Sequence, residues 1–78
     1  MHVVIAKVDE VFYDGEAHSM TVPAADGEMT VLGEHMPLIT TLKPGTIVLR
    51  ETQEGSPREI PIEGGVLEVR QEGVTIIL

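Results

Sequence analysis

The chain contains no cysteine and no tryptophan, and only one tyrosine and one phenylalanine among its 78 residues. Without cysteine it can form neither a disulfide framework nor a thiolate metal site, so aliphatic packing must hold one small domain together. The longest uninterrupted apolar run is four residues, Val3 to Ala6. Such a run is too short for a transmembrane helix or for the core of a signal peptide, so we expect no direct insertion into a membrane.

Positive charge is also scarce. Five Lys and Arg stand against thirteen Asp and Glu, which gives a formal net charge of -8. The basic residues are scattered along the sequence, at Lys7, Lys43, Arg50, Arg58 and Arg70. Nucleic-acid phosphates and anionic lipid surfaces repel a chain of this charge, so we expect neither as a binding partner.

Long stretches that could form a helix are missing as well. Glycine and proline leave no gap longer than fourteen residues, and that gap, Met1 to Asp14, is rich in Val and Ile. Apolar and polar residues alternate elsewhere, as in Ile60 and Ile62, which is the pattern of a half-buried strand. We predict strands near residues 2–8, 11–14, 16–22, 28–32, 38–42, 46–52, 58–63, 65–70 and 73–78.

So many short strands must stack in two layers or close on themselves, because one open sheet would leave an apolar face in water. We therefore predict an all-β fold, a small β-sandwich of eight to ten short, mainly antiparallel strands in two sheets, with residues 1–78 as one domain. Pro61 lies in mid-strand and lacks an amide hydrogen, which indicates an edge strand or a strand whose amide side faces outward at this position. Residues 54–57 and 71–73 have the composition of hairpin turns, and Gly64-Gly65 that of a bulge or tight corner.

The sequence places no set of catalytic partner residues around the histidines. His35 lies between Glu34 and Met36, but a general base or a zinc site needs further converging groups, and no His-x-x-x-His spacing occurs. We interpret His35 as a structural or partner-contact residue, and His2 and His18 as ordinary surface or half-buried side chains. No residue pattern indicates a catalytic group, a metal ligand or a bound cofactor, so we expect a protein that is not an enzyme.

Asp26-Gly27-Glu28 is the acidic stretch with two competing interpretations. Aspartate and glycine at this spacing are typical of a turn between strands, with Asp26 starting the turn and Gly27 adopting the unusual dihedral. A catalytic carboxylate pair is disfavoured, because a glycine-containing loop does not bury a carboxylate. The other interpretation is an acidic knob offered to a partner, and the residues alone favour the turn.

Lys43 supports an alternative function. Small acidic β-sandwiches of this length include lipoyl and biotinyl carrier domains, which present one lysine at a hairpin tip for covalent modification. Those families flank the lysine with Asp-Lys-Ala or Met-Lys-Met, whereas Lys43 stands between Leu42 and Pro44. The carrier interpretation remains as the alternative.

Turn residues are densest between Val22 and Gly45, and their order there is similar to that of a known family. The matching positions in this stretch are Val22-Pro23, Gly27-Glu28, Leu32, His35, Pro37-Leu38, Thr40, Leu42 and Lys43-Pro44-Gly45. Further matches are Phe12, Gly15-Glu16, Gly64 to Val69 and Val74-Thr75-Ile76. Together they resemble the amino-terminal domain of the epsilon chain of rotary, F-type ATP synthases.

The resemblance implies a central-stalk rotor subunit that links the gamma chain to the ring of c subunits and supports the coupling of proton flow to ATP synthesis. It implies no active site, no cofactor and no small-molecule substrate, and a peripheral location on the cytoplasmic side of the bacterial plasma membrane. Residue by residue, it assigns Asp26, Gly27 and Glu28 to the contact with the c ring. It assigns the contact with the gamma chain to His35, Met36, Pro37, Leu38 and Thr40, together with part of the first strand.

Two departures from the family pattern stand out. Gly33-Glu34 replaces the usual Pro-Gly before the histidine, which keeps the length but adds a charge. Family members commonly continue into a carboxy-terminal helical hairpin, and we expect that hairpin to be absent from these 78 residues, whether the chain is naturally short or part of a longer one.

Overall fold

The computed structural model describes residues 1–33 and 36–78, and these residues contain nine β-strands. The strands are β1 (His2–Lys7), β2 (Glu10–Glu16), β3 (Ser19–Ala24), β4 (Gly27–Leu32), β5 (Leu38–Leu42), β6 (Gly45–Arg50), β7 (Arg58–Ile62), β8 (Gly65–Arg70) and β9 (Gly73–Ile77). The predicted all-β class and the strand number are confirmed. Within the described ranges, no helix is long and apolar enough to cross a membrane.

The nine strands form one continuous sheet, where two were predicted, and this sheet curls into the two layers of the sandwich. One layer has the order β2-β1-β9-β8-β5, and β4, β3, β6 and β7 form the other, with β3 between β4 and β6. The layers join where Ala24 of β3 pairs with Leu42 of β5. Neighbouring strands are antiparallel except β1 and β9, which run parallel.

Alternation along each strand builds the core between the layers. Successive side chains of a strand point to opposite faces, so one apolar set turns inward. Strands of both layers contribute to a single buried cluster, which is the arrangement of a β-sandwich. Its fully buried larger side chains are Ile5, Met20, Ile47, Leu49, Leu67, Ile76, Val3, Val22 and Val31.

Turn and edge predictions are confirmed at several positions. Pro61 lies in β7, which pairs with β6 alone and so forms an edge of the sheet. Hairpins join β6 to β7 and β8 to β9. Gly64 and Gly65, with φ of 148° and 154°, turn the chain from one layer to the other. A side chain at Gly65 would put its Cβ 2.7 Å from the Ile77 carbonyl oxygen, so this corner needs glycine.

The predicted break between the second and third strands was wrong. The sequence put the break between the second and third strands at Gly15, but β2 continues through Gly15 to Glu16, and the chain changes layer at Ala17 and His18. Gly15 pairs with Val3 in the ladder, and the Tyr13 hydroxyl donates a hydrogen bond to the Glu16 carbonyl oxygen at 2.6 Å. Glycine therefore serves here as a strand residue.

Candidate functional site

The acidic stretch predicted to meet a partner forms the tip of the β3–β4 hairpin. Ala24 pairs with Gly27, so only Ala25 and Asp26 connect the two strands. Gly27 has a φ of 129°, as the turn interpretation predicted, but Asp26 occupies the second connecting position and does not start the turn. Asp26 and Glu28 are both exposed. We call Asp26, Gly27 and Glu28 the hairpin tip.

Two backbone hydrogen bonds attach the hairpin tip to the end of β5. The Ala25 amide donates to the Thr41 carbonyl oxygen at 3.0 Å, and the Lys43 amide donates to the Pro23 carbonyl oxygen at 2.8 Å. These bonds flank the Ala24–Leu42 pair that joins the layers. The tip is therefore an exposed surface on a firmly held base.

The segment predicted to pack on the gamma chain leads into β5 and includes its first half. Met36 and Pro37 are exposed, Leu38 is half-buried against the core, and Thr40 is half-buried and paired with Leu67. We call residues 36–40 the β5 segment. The fifth predicted residue of this contact, His35, lies outside the described residues.

Sequence reasoning passed over the most exposed apolar side chain of β5. Ile39 is 70% exposed and points away from the core, and Met36, three residues earlier in the chain, is 78% exposed. The signal was present in the alternation: Leu38, Thr40 and Leu42 face inward, so the intervening residue must face outward. Ile39 belongs with the β5 segment as a candidate contact residue.

The hairpin tip and the β5 segment are two separate surfaces. Leu38 begins β5 beside Val69, and Leu42 ends it beside Gly65 and Ala24. Four steps along a strand cover about 13 Å, so the two surfaces lie at opposite ends of β5. The fold can thus present them to two different partners, or to two parts of one partner.

Other titratable groups form surface pairs. The His2 Nε2 atom lies 2.8 Å from an Asp14 carboxylate oxygen, and its Nδ1 atom lies 3.4 Å from Glu16. His18 is exposed. In the described ranges, no three His, Asp or Glu side chains are grouped to hold a metal ion.

Among the described residues, Tyr13 is the group whose pKa is perturbed. Burial raises the pKa of its hydroxyl, and the nearby Glu51 carboxylate raises it further. The Arg58 guanidinium, which lies 5.3 Å from the centre of the Tyr13 ring, acts in the opposite direction. Tyr13 lies in neither candidate surface, so we assign it to the scaffold.

Comparison with known proteins places the fold in a family. Residues 1–78 match the family model of the ATP synthase delta/epsilon chain β-sandwich domain. The chain is 39% identical over 77 residues to ATP synthase epsilon chain 2 of Burkholderia orbicola, covering 99% of this chain and 51% of the relative. It is 35% identical to the ATP synthase epsilon chain of Bordetella avium, covering 99% and 54% of the two chains. The chain therefore spans about half the length of these curated relatives.

Solved structures agree in fold. A chain of the Euglena gracilis mitochondrial ATP synthase structure containing OSCP, F1 and the c-ring superposes with a TM-score of 0.86 at 27% identity, covering 96% of this chain and 48% of that one. A chain of the Tetrahymena thermophila mitochondrial ATP synthase central stalk and c-ring gives a TM-score of 0.76 at 13% identity, covering 99% and 63%. With the family match along its whole length, the chain belongs to the family of ATP synthase delta/epsilon chain β-sandwich domains.

Proposed function

We propose that the chain is a central-stalk rotor subunit of a proton-translocating ATP synthase, where it links the gamma chain to the ring of c subunits. The observation that carries the proposal is the family match over residues 1–78. Similarity to a chain from an assembly that includes F1 and the c-ring supports it. In this role the domain helps to couple proton flow to ATP synthesis. It sits as a peripheral subunit on the cytoplasmic side of a bacterial plasma membrane, a location that its similarity to epsilon chains of bacteria supports.

The hairpin tip is the proposed contact with the c ring. Its two carboxylates, on Asp26 and Glu28, are exposed at the end of a short hairpin with a fixed base. Exposed charges of this kind contribute mainly to encounter rate, register and salt dependence at an interface. We therefore propose that the tip orients the domain by contacting basic or amide groups of the ring.

The β5 segment, together with His35, is the proposed contact with the gamma chain. Met36 and Ile39 offer exposed apolar side chains at the opposite end of β5 from the tip. Burial of apolar area stabilises an interface by roughly 25 cal/mol per Å² before the costs of association. The segment is therefore suited to holding the domain on its partner, while the tip sets its orientation.

We also propose that the domain performs no chemistry of its own and binds neither a cofactor nor a small-molecule substrate. In the part of the chain that the structure describes, no charged side chain is buried. Catalytic groups are usually tuned by such burial. Calorimetric titration of the domain with ATP is expected to give no measurable heat of binding, whereas micromolar affinity would overturn this part of the proposal.

Co-purification tests the central proposal. When the tagged chain is expressed with the other ATP synthase subunits of its source, we expect the gamma chain and the c ring to be recovered with it. Recovery of neither would refute the stalk role. The carrier alternative makes a different prediction, namely an increase in intact mass at Lys43 after coexpression with a lipoyl or biotinyl ligase. Family membership favours an unchanged mass.

A further inference from the structure

Lys43 differs from the four other basic residues of the chain in having no partner within the described domain. The Lys7 ammonium lies 5.7 Å from the centre of the Phe12 ring, and Arg58 lies over Tyr13. Arg50 donates to the Gly55 carbonyl oxygen at 2.8 Å, and Arg70 pairs with Glu68 at 2.9 Å. The Lys43 side chain is exposed and makes no hydrogen bond, salt bridge or ring contact to any of residues 1–33 and 36–78. Among the described residues it is an unpaired positive charge, in a chain whose net charge is -8.

The backbone of Lys43 is fixed to the base of the hairpin tip. Its amide donates to the Pro23 carbonyl oxygen at 2.8 Å, and Pro23 pairs with Glu28 across the hairpin. Lys43 and Pro44 are the two residues that connect β5 to β6. The β5–β6 turn and the hairpin tip therefore share one end of the sandwich.

Gly45 fixes the separation between these two turns. A Cβ atom at Gly45 would lie 2.9 Å from the Cβ and 3.0 Å from the Cγ of Pro23. The proline ring is rigid, so it cannot move aside as a flexible side chain would. Glycine at position 45 thus lets β6 start close to Pro23 of β3, so the Lys43 turn lies against the strand that leads into the hairpin tip.

We propose that Lys43 is the positively charged side chain of the ring-facing surface and pairs with an acidic or carbonyl group of the c ring. It acts there beside the negatively charged side chains of Asp26 and Glu28. The inference rests on the proposed function, which supplies the ring as the partner. A surface with both signs of charge at fixed positions specifies one orientation, because a rotated partner would bring like charges together.

Charge reversal in the assembled ATP synthase tests the inference. The measured quantity is the fraction of c ring retained with the complex at low and at high ionic strength. We expect Lys43→Glu to weaken retention about fivefold at low ionic strength, the scale of one exposed ion pair, and much less at high ionic strength. Arg70→Glu is the control for charge reversal. Arg70 ends β8, whose other end pairs with Leu42 next to Lys43, so this variant reverses a charge far from the hairpin tip and should leave retention unchanged.

The outcomes separate this inference from the proposed function. Unchanged or stronger retention with Lys43→Glu, while Glu28→Lys weakens it, would overturn the role of Lys43 and leave the tip contact standing. Failure of the wild-type chain to bring down any ring would refute the proposed function itself. If Arg70→Glu weakens retention as much as Lys43→Glu, the effect comes from net charge, and the inference is wrong.

A second variant tests the close approach of Gly45 to Pro23 without changing any charge. Gly45→Ala should displace the Lys43 turn from the hairpin tip and lower ring retention several-fold. The thermal midpoint of the domain shows whether any loss of retention comes from unfolding. Gly15→Ala is its control, because a Cβ there would make only ordinary contacts of 3.6 Å or more with Tyr13. Full ring retention by a folded Gly45→Ala variant would contradict the positioning role of Gly45.

Discussion

The two ends of β5 present opposite kinds of surface. At one end the hairpin tip carries the carboxylates of Asp26 and Glu28 on a two-residue connection. At the other end the β5 segment exposes Met36 and Ile39. The first surface can recognise a partner by charge and position, and the second can hold one by excluding water. One five-residue strand thus separates a salt-sensitive contact from an apolar one.

The difference predicts different responses to solution conditions. Exposed ion pairs contribute about 0–1 kcal/mol each and weaken as salt is added. Apolar contacts depend on buried area and are not screened by salt. Loss of the tip contact should therefore depend on ionic strength, whereas loss of the β5 segment contact should not.

Removal of core volume between the two surfaces should have the largest effect. Leu67 is fully buried and pairs with Thr40 in the middle of β5. Leu67→Ala should lower the free energy of unfolding by about 2–5 kcal/mol, because it leaves a cavity in a small core. Chemical denaturation measures this change. Both surfaces should be weakened together, and selective loss of one partner would show that they do not share a support.

Val66→Ala is the control for the core substitution. Val66 is 42% exposed on the outer face of the same strand. The change should cost less than about 1 kcal/mol, since it removes methyl groups that remain in contact with water.

A charge on the apolar surface should act on one partner alone. Ile39→Lys should leave the free energy of unfolding within about 0.5 kcal/mol, because Ile39 is exposed and its cross-strand neighbour is Glu68. Binding of the gamma chain should weaken about tenfold at low and at high ionic strength. Titration of the gamma chain against the wild type and against Ile39→Lys checks this, and unchanged affinity would exclude Ile39 from the contact.

Tyr13 allows the scaffold to be altered without touching either surface. Tyr13→Phe should cost about 1 kcal/mol at neutral pH, because it removes the hydrogen bond to the Glu16 carbonyl oxygen. Since burial raises the pKa of Tyr13, the native state keeps this proton more tightly than the unfolded chain. The stability from this proton is complete below about pH 10 and is lost as the pH rises through the folded-state pKa.

Urea denaturation near neutral pH and at alkaline pH measures both parts of the Tyr13 prediction. Wild type should lose stability at alkaline pH more steeply than Tyr13→Phe. Equal alkaline slopes would contradict the role of Tyr13 as the titrating group. Wild type and Tyr13→Phe should bind the gamma chain and the c ring equally at neutral pH.

The smallest effect on the fold is expected at the tip. Glu28→Gln should change the free energy of unfolding by less than about 0.5 kcal/mol, as at other exposed sites. A loss of 1 kcal/mol or more in thermal or chemical denaturation would indicate a structural role for the carboxylate.

Local patterns predicted the strands well where turn residues bracket an alternating run. The predicted strands 38–42 and 65–70 coincide with β5 and β8. The error at Gly15 has a physical cause, since a glycine that pairs normally in a ladder gives the same signal as one in a turn. The chain leaves β2 at Ala17 because the Ala17 amide donates to the Met1 carbonyl oxygen, a contact sixteen residues away that local reasoning does not contain.

The candidate surfaces were only partly predictable. The family resemblance supplied the tip and the β5 segment, and alternation could have added Ile39. That Lys43 has no partner among residues 1–33 and 36–78 could not be predicted from the sequence, because it depends on which basic side chains the fold pairs internally. The contact between Gly45 and Pro23 likewise arises only when β3 and β6 are brought together.

The most direct test of the two-surface account is c-ring retention by the ATP synthase carrying Glu28→Lys, measured at low and high ionic strength beside Ile39→Lys. We predict that Glu28→Lys loses the ring at low ionic strength, recovers much of it at high ionic strength, and still binds the gamma chain as wild type does. Ile39→Lys should instead weaken binding of the gamma chain under both conditions. Equal ring retention by wild type and Glu28→Lys at both ionic strengths would contradict the account and leave the hairpin tip as a solvated turn.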